Sequence, residues 1–508
     1  MVTETIRSWL PAAMTLLPLG VPALIYLVGK RSPRLRNFAV LVTSGAVLAF
    51  AAALYPMVRD GAVVVCSLGQ IVAPLGVTFR VDVLSFFVVI VSAAIWFLVS
   101  LYSLAYMRDE HDQTRYYAFF LLTLSGAMGA FMAGDLFTLF LFFEIMSLPA
   151  YVLVIHDQTP QAMQAGLKYL FMTIAGSLAF FFGLVATHEL GGTLSLSEVG
   201  IITSNSPLAK YTFIAFVAAF GMKAGMVPLH VWLSDAHPVA PSPASALLSG
   251  IMLKTGAYGL LRVIYSVFGV EFFRETGWAS WLLAASAVTI ILGSAVAITQ
   301  NDLKRRLAYS SIGQMGYILL GMSLLTERAL VGDIFHIFAH AVVKSCLFLC
   351  AGSIIKQTGK RDIRDFAGLG YRMPVTMGCF TLAALTITGI PPMNGFISEW
   401  ELSLGAFEAG LPLYAVLLLL SSLMNAAYYL PVVISAFFVK PDTQRPGERA
   451  VDVPEPQSWW RGILSREAPP AMLVPVVLLA IGCVAFSLMP SNWPLRLSEM
   501  AARMLMGH

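Results

Sequence analysis

The sequence predicts an all-α polytopic membrane protein. Hydrophobic residues make up 58% of the 508-residue chain and charged residues only 12%, with a mean hydropathy of +0.78, which excludes an ordinary soluble domain. About fourteen apolar stretches approach the roughly 20 residues that a spanning helix needs. None of these runs alternates apolar and polar positions as the strands of a membrane barrel do.

In order, the stretches lie at about 9–29, 36–58, 81–106, 115–133, 135–155, 162–187, 208–233, 242–268, 276–298, 304–325, 329–355, 372–407, 411–438 and 469–489. The first lacks a convincing cleavage site and runs into a basic loop, so it reads as a retained helix. Lysine and arginine cluster after odd-numbered helices: Lys30, Arg31, Arg34 and Arg36; Lys304, Arg305 and Arg306; Lys360, Arg361, Arg364 and Arg372; Lys440, Arg445 and Arg449. The positive-inside rule then places these loops in the cytoplasm and both termini outside, in a cell inner membrane. The stretch 440–468 is Pro-rich and charged and reads as a cytoplasmic connector, with Trp459 and Trp460 beside Arg461 as an interfacial anchor. Five cysteines (Cys66, Cys346, Cys350, Cys379, Cys483) lack metal-site spacing and read as packing residues.

Helices seven and twelve are predicted to be broken, by Pro228 and by Pro391–Pro392, because proline removes a backbone donor and clashes with the preceding turn. Inside a bilayer such breaks survive only where protein or a water-filled cavity satisfies the freed groups. Two broken helices five positions apart suggest two inverted five-helix repeats, helices four to eight and nine to thirteen. The expected organisation is one transmembrane domain over 1–508, with helices one to three in 1–114, the repeats in 115–268 and 276–438, and the connector and last helix in 439–508.

Eight ionisable side chains interrupt the apolar stretches: Glu144, Lys168, Lys223, Lys254, His336, His340, Lys344 and Glu399. A charge toward the bilayer centre costs about 2.5–3.5 kcal/mol on insertion scales, so such residues face one another or water. Glu144, among phenylalanines, is expected to pair with Lys223, and separating them would let the lysine release its proton. A static ion pair is the competing reading. Small residues around Lys254 (Ser249, Gly250, Gly256, Ala257) allow close helix approach. His336, His340 and Lys344 stand at i, i+4 and i+8 on one helix face, rising about 6 Å per step, and histidine titrates near neutral pH. Zinc is disfavoured there because no further ligand is placed and Lys344 would repel it. Glu399, with Glu401 two residues on, ends the series. Lys168, which could snorkel, and His230 and His237, at the break in helix seven, are secondary candidates.

The segment from Lys223 to Arg262, with HIFAHAVVKSCLFLCAGSII and GIPPMNGFISEW, resembles the antiporter-like subunits shared by respiratory complex I, Mrp cation/proton antiporters and energy-converting hydrogenases, formate hydrogenlyase included. That resemblance implies a fourteen-helix fold with a hydrated mid-membrane axis. In it Glu144 and Lys223 form a coupling pair, Lys254, His336, His340 and Lys344 a central relay, and Glu399 the terminal group. Several branches carry lysine at that last position; glutamate here resembles the hydrogenase-type and Glu-bearing complex I branches. The implied activity is proton translocation within a redox-driven complex, with an Mrp-type Na+/H+ antiporter subunit as the alternative. No cofactor or metal is expected in this chain, because no cysteine cluster, nucleotide loop or haem motif is present. Redox partner subunits (iron–sulfur, nickel–iron or NADH/quinone), protons, sodium as the alternative ion, and lipid are the expected partners, and nucleic acid is not.

Overall fold

A computed structural model describes residues 4–72, 75–439, 466–489 and 493–507. Residues 440–465 of the expected connector, with Lys440, Arg445, Arg449, Trp459, Trp460 and Arg461, lie outside them. The helices are α1 (Leu10–Val28), α2 (Pro33–Val58), α3 (Val83–Tyr106), α4 (Gln113–Phe131), α5 (Leu136–Val154), α6 (Pro160–Gly191), α7 (Pro207–Ala224) and α8 (Leu233–Val239). There follow α9 (Ser242–Phe268), α10 (Val270–Thr276), α11 (Ala279–Thr299), α12 (Leu303–Ser323), α13 (Glu327–Thr358), α14 (Leu369–Arg372), α15 (Pro374–Ile387), α16 (Asn394–Glu408), α17 (Pro412–Phe438), α18 (Pro470–Leu488) and α19 (Leu495–Met506). Among the described residues, ten helices are long and apolar enough to cross a membrane. The chain is thus a predominantly helical, multi-pass membrane protein.

Local chemistry sets the helix ends. Ser32, Asp82, Asp135, Thr159, Ser206, Asp302 and Thr326 each accept a hydrogen bond from the backbone N–H three residues on, which satisfies a donor that the first turn leaves orphaned. Both proline breaks are present. After α7, Gly225 takes φ +76° and Met226 N–H returns to Gly221 O; after α15, Gly389 takes φ +72° and Ile390 N–H returns to Leu385 O. This is one left-handed glycine stop used twice, with a proline three residues beyond each glycine. The groups freed at the breaks find partners: Trp232 Nε1 donates to Met222 O, Val227 N to Thr289 Oγ1, and Asn425 Nδ2 to Ile387 O.

Two helices form the centre. All of α9 is buried, as is every residue of α13 from Ala329 to Ile354. The outer helices keep apolar residues exposed, such as Phe171 and Leu178 on α6 and Leu419 and Leu423 on α17, as lipid- or partner-facing surfaces do.

The fold departs from the sequence reading in three ways. It is not wholly helical: β1 (Thr5–Arg7), β2 (Val63–Val72) and β3 (Leu75–Val81) form a sheet, with β1 parallel and β3 antiparallel to β2. The β-branched residues of 63–81 carry that signal, but the segment falls between two longer apolar runs. Secondly, α19 was not expected. Thirdly, several basic residues assigned to loops lie in helices. Arg36 is buried in α2 and donates to Gln113 and Thr114. Lys304 and Arg306 are buried in α12, where they donate to the carbonyls of Ala240 and Tyr428. Long basic side chains can cap backbone carbonyls at helix ends, so the count of loop charges overstates the bias.

Candidate functional site: a buried row of ionisable groups

The row starts between α5, α6 and α7. Lys223 is wholly buried at the end of α7 and donates to Ser147 Oγ and to Tyr169 OH, both at 2.9 Å. Tyr169 OH donates in turn to Ser147 O at 3.1 Å. Glu144, half-buried, accepts from Ser177 Oγ on α6. The direct Glu144–Lys223 ion pair expected from the sequence is absent from the ion pairs of the described residues. The hydroxyls of Ser147 and Tyr169 fill Lys223's coordination, because Ser147 follows Glu144 by three positions and so turns with it toward α7.

Close backbone approach carries the row inward. Gly256 of α9 lies against α7: a Cβ there would stand 2.6 Å from both Ala224 N and Phe220 O. Gly250 faces α13, where a Cβ would meet the Ser345 hydroxyl and stand 3.3 Å from Ala341 O. Around Gly250 α9 widens into a π-type turn at Leu248–Met252, a feature common at functional sites. Lys254 reaches back from just beyond it and donates to Ser249 O at 2.6 Å and to His340 Nδ1 at 2.7 Å.

On α13 the expected i, i+4, i+8 face is realised. The His336 and His340 rings are parallel within 10° and 5.9 Å apart, and Tyr317 stacks on His336 at 5.2 Å. His336 Nδ1 lies 2.9 Å from Ser398 Oγ, whose own proton goes to Gly395 O at 2.8 Å. The imidazole is therefore the donor at Nδ1, and its Nε2 is left as an acceptor. With Lys254 as the ammonium the converse holds for His340: Nδ1 is then the acceptor and Nε2 carries the hydrogen. Lys344 donates to Leu307 O at 3.2 Å and to Tyr429 OH at 3.1 Å. From Tyr429 a chain of hydroxyls runs through Ser310 and Tyr428 to Asn425. The sequence reading missed this branch because serine and tyrosine in apolar helices carry no spacing signal.

Glu399 on α16 accepts from Ser422 Oγ at 2.7 Å. A cavity of about 10 Å³ separates it from the histidines, lined by Gln314, His336, His340 and Glu399 among others. Gln314 Nε2, His336 Nε2 and His340 Nε2 are all buried and without a hydrogen-bond partner. The space matches about one water, which needs two to four polar partners.

The secondary candidates fall outside this row. Lys168 is about half exposed and pairs with Asp235 of α8, which Arg305 also approaches at 3.6 Å. His230 is half-buried near Tyr309, while His237 is wholly buried, stacked on Phe348 at 4.5 Å with neither ring nitrogen hydrogen-bonded. Two further buried features were missed. Asp82 forms an ion pair with Arg262 at 2.7 Å, joining α3 to α9, and Asp333 of α13 is buried with both carboxyl oxygens unpartnered. Among the described residues, no group of three or more His, Cys, Asp or Glu is placed to hold a metal.

A multi-pass helical protein with two glycine–proline breaks and a buried file of Lys, His and Glu defines a class of membrane ion-handling subunit. Residues 133–425 match the family profile described as "NADH:quinone oxidoreductase/Mrp antiporter, TM", and residues 71–117 match "NADH-Ubiquinone oxidoreductase (complex I), chain 5 N-terminus". The chain belongs to the NADH:quinone oxidoreductase/Mrp antiporter family of membrane proteins. It is 36% identical over 425 residues to NADH-quinone oxidoreductase subunit N of Desulforudis audaxviator, covering 82% of each chain. It is 38% identical over 340 residues to hydrogenase-4 component B of Escherichia coli, covering 64% of this chain and 50% of that one. Among solved structures it superposes with TM-score 0.87 on a chain of the membrane-bound sulfane sulfur reductase, an archaeal respiratory membrane complex, at 26% identity over 98% of each chain.

Proposed function

We propose that this protein is the proton-translocating membrane subunit of a redox-driven respiratory or hydrogenase-type complex. The observation that carries the reading is the water-sized cavity between the histidine pair and Glu399. It is lined by Gln314, His336, His340 and Glu399, and the first three each carry a buried side-chain nitrogen without a hydrogen-bond partner. One water there would accept from His340 Nε2–H and donate to His336 Nε2 or to Glu399. A proton can then pass from the Lys254 ammonium to His340 Nδ1 while His340 releases its Nε2 proton toward Glu399.

In this reading Glu144 and Lys223 are the coupling end of the file. The Ser147 and Tyr169 hydroxyls hold the Lys223 ammonium, and the Glu144 carboxylate biases it from the next turn. Lys254, His336, His340 and Lys344 form the relay and Glu399 the terminal group. The matching glycine–proline breaks support two inverted five-helix repeats, 115–268 and 276–438, within a fourteen-span domain. The basic loops favour termini on the non-cytoplasmic side. In this reading electrons and their cofactors belong to partner subunits, and the described residues of the file bind and orient protons.

The test is Glu144→Gln or Lys223→Ala in the assembled complex, measured as proton uptake by sealed vesicles. Each variant should assemble and lose at least nine-tenths of translocation. Wild-type pumping by either assembled variant would overturn the reading.

A further inference from the structure

Resting on that reading, we propose that Asp333 is an additional proton-binding station, through which the relay exchanges protons with the cavity on the membrane face that carries the three-stranded sheet. Asp333 is 0% exposed, and neither oxygen has a hydrogen-bond partner. Native interiors leave few polar groups in that condition. It stands one turn before His336 on α13, and residues three apart on a helix are surface neighbours. His336 is the relay residue next along the same helix, and its Nε2 has no hydrogen-bond partner.

Tyr265 of α9 donates its hydroxyl to Met322 O at 3.0 Å, and Met322 adjoins Gly321, where an added Cβ would stand 2.6 Å from Asp333 Cβ. The same tyrosine lines a cavity of about 950 Å³, together with Glu4 and Ile6 at β1, Arg80, Asp82 and Arg262, and Arg503 of α19. α12 closes on Asp333 with Gly321, and α16 presents Leu402 there. No lysine or arginine pairs with it among the ion pairs of the described residues. Asp333 thus stands one turn from the first histidine of the relay on α13 and on the Gly321 side of the α12 segment that Tyr265, a residue lining the cavity at the sheet face, bonds. The step is a proton exchange only, taken up by the carboxylate from the cavity side and passed from the carboxylic acid to His336, or the reverse.

The experiment treats membranes holding the full complex with dicyclohexylcarbodiimide, which adds across a protonated, membrane-buried carboxyl to leave an N-acylurea, and maps adducts by mass spectrometry. An adduct on Asp333 is expected alongside one on Glu399. Labelling at Glu399 with none at Asp333 overturns the proposal. In vesicles, assembled Asp333→Asn should translocate at least tenfold more slowly than wild type, with Asp333→Glu recovering most of the rate. An Asp333→Asn complex that pumps at the wild-type rate also overturns it. Where Asp333→Asn fails to assemble, the adduct on the wild-type chain decides. A wild-type complex that moves no protons refutes the broader function, whereas wild-type pumping with an indifferent Asp333→Asn refutes only this station.

Discussion

Gly256→Ala should separate the two halves of the row. The added Cβ would lie 2.6 Å from Ala224 N and Phe220 O and 3.1 Å from Lys223 C. Ordinary van der Waals contact begins near 3.4 Å, so α7 and α9 must part by about 0.8 Å. All three atoms are backbone, so no rotamer change relieves the clash. Overpacking of this kind costs about 1–3 kcal/mol, offset by up to about 1 kcal/mol of helix propensity gained over glycine. The expected net loss is about 1–2 kcal/mol, a lowered melting temperature for the purified complex. Proton uptake should fall further than stability does, because the displaced segment is the end of α7 that holds Lys223 against Ser147 and Tyr169. Gly378→Ala on α15 is the control. A Cβ there meets nothing within 4 Å, so the substitution should be neutral or stabilising by up to about 1 kcal/mol. A Gly256→Ala complex with wild-type melting and wild-type proton uptake would refute the claim that close backbone contact at this point links Lys223 to Lys254.

Two other perturbations test the supports of the row. Asp82→Asn strands the buried Arg262 guanidinium, which now donates to both carboxylate oxygens at 2.7 Å. Losing one partner of a buried pair costs about 3–5 kcal/mol, so thermal unfolding should show a large drop, and an unchanged melting temperature would count against a structural bond between α3 and α9. His156, in the turn between α5 and α6, is buried beside His111 and Arg115. Burial, reinforced by those two neighbours, pushes its pKa down to about 4. Because the unfolded chain takes up this proton near the ordinary pKa of about 6.5, stability is complete above that value and falls as the pH drops toward 4. The loss amounts to roughly 3 kcal/mol at its end. His156→Phe should flatten that part of the pH–melting curve, and an unaltered slope would reject the assignment.

Much of this protein was legible in the sequence, because the bilayer imposes one strong rule. Backbone groups without water must bond within a helix, so each apolar run of sufficient length became a helix, and two opened beside Pro228 and Pro391–Pro392, although Pro149 and Pro431 sit inside unbroken helices. The chemistry of the row was legible for the same reason, since a lysine or histidine within an apolar run is conspicuous and the spacing of His336, His340 and Lys344 places them on one face. Partners were another matter. Which hydroxyl reaches Lys223, that Lys254 donates to His340, that Lys168 pairs with Asp235, and that Glu144 stops short of Lys223 all depend on how helices distant in sequence are rotated and how closely they pack. Glycines at 250 and 256 set those distances in three dimensions, and no periodicity within a single helix encodes them. The sheet at 63–81 and the unpaired carboxyl of Asp333 came to light only there too. A short β-branched segment is outweighed by its long apolar neighbours, and an aspartate near a helix end becomes unusual only once the surrounding helices have sealed it from water.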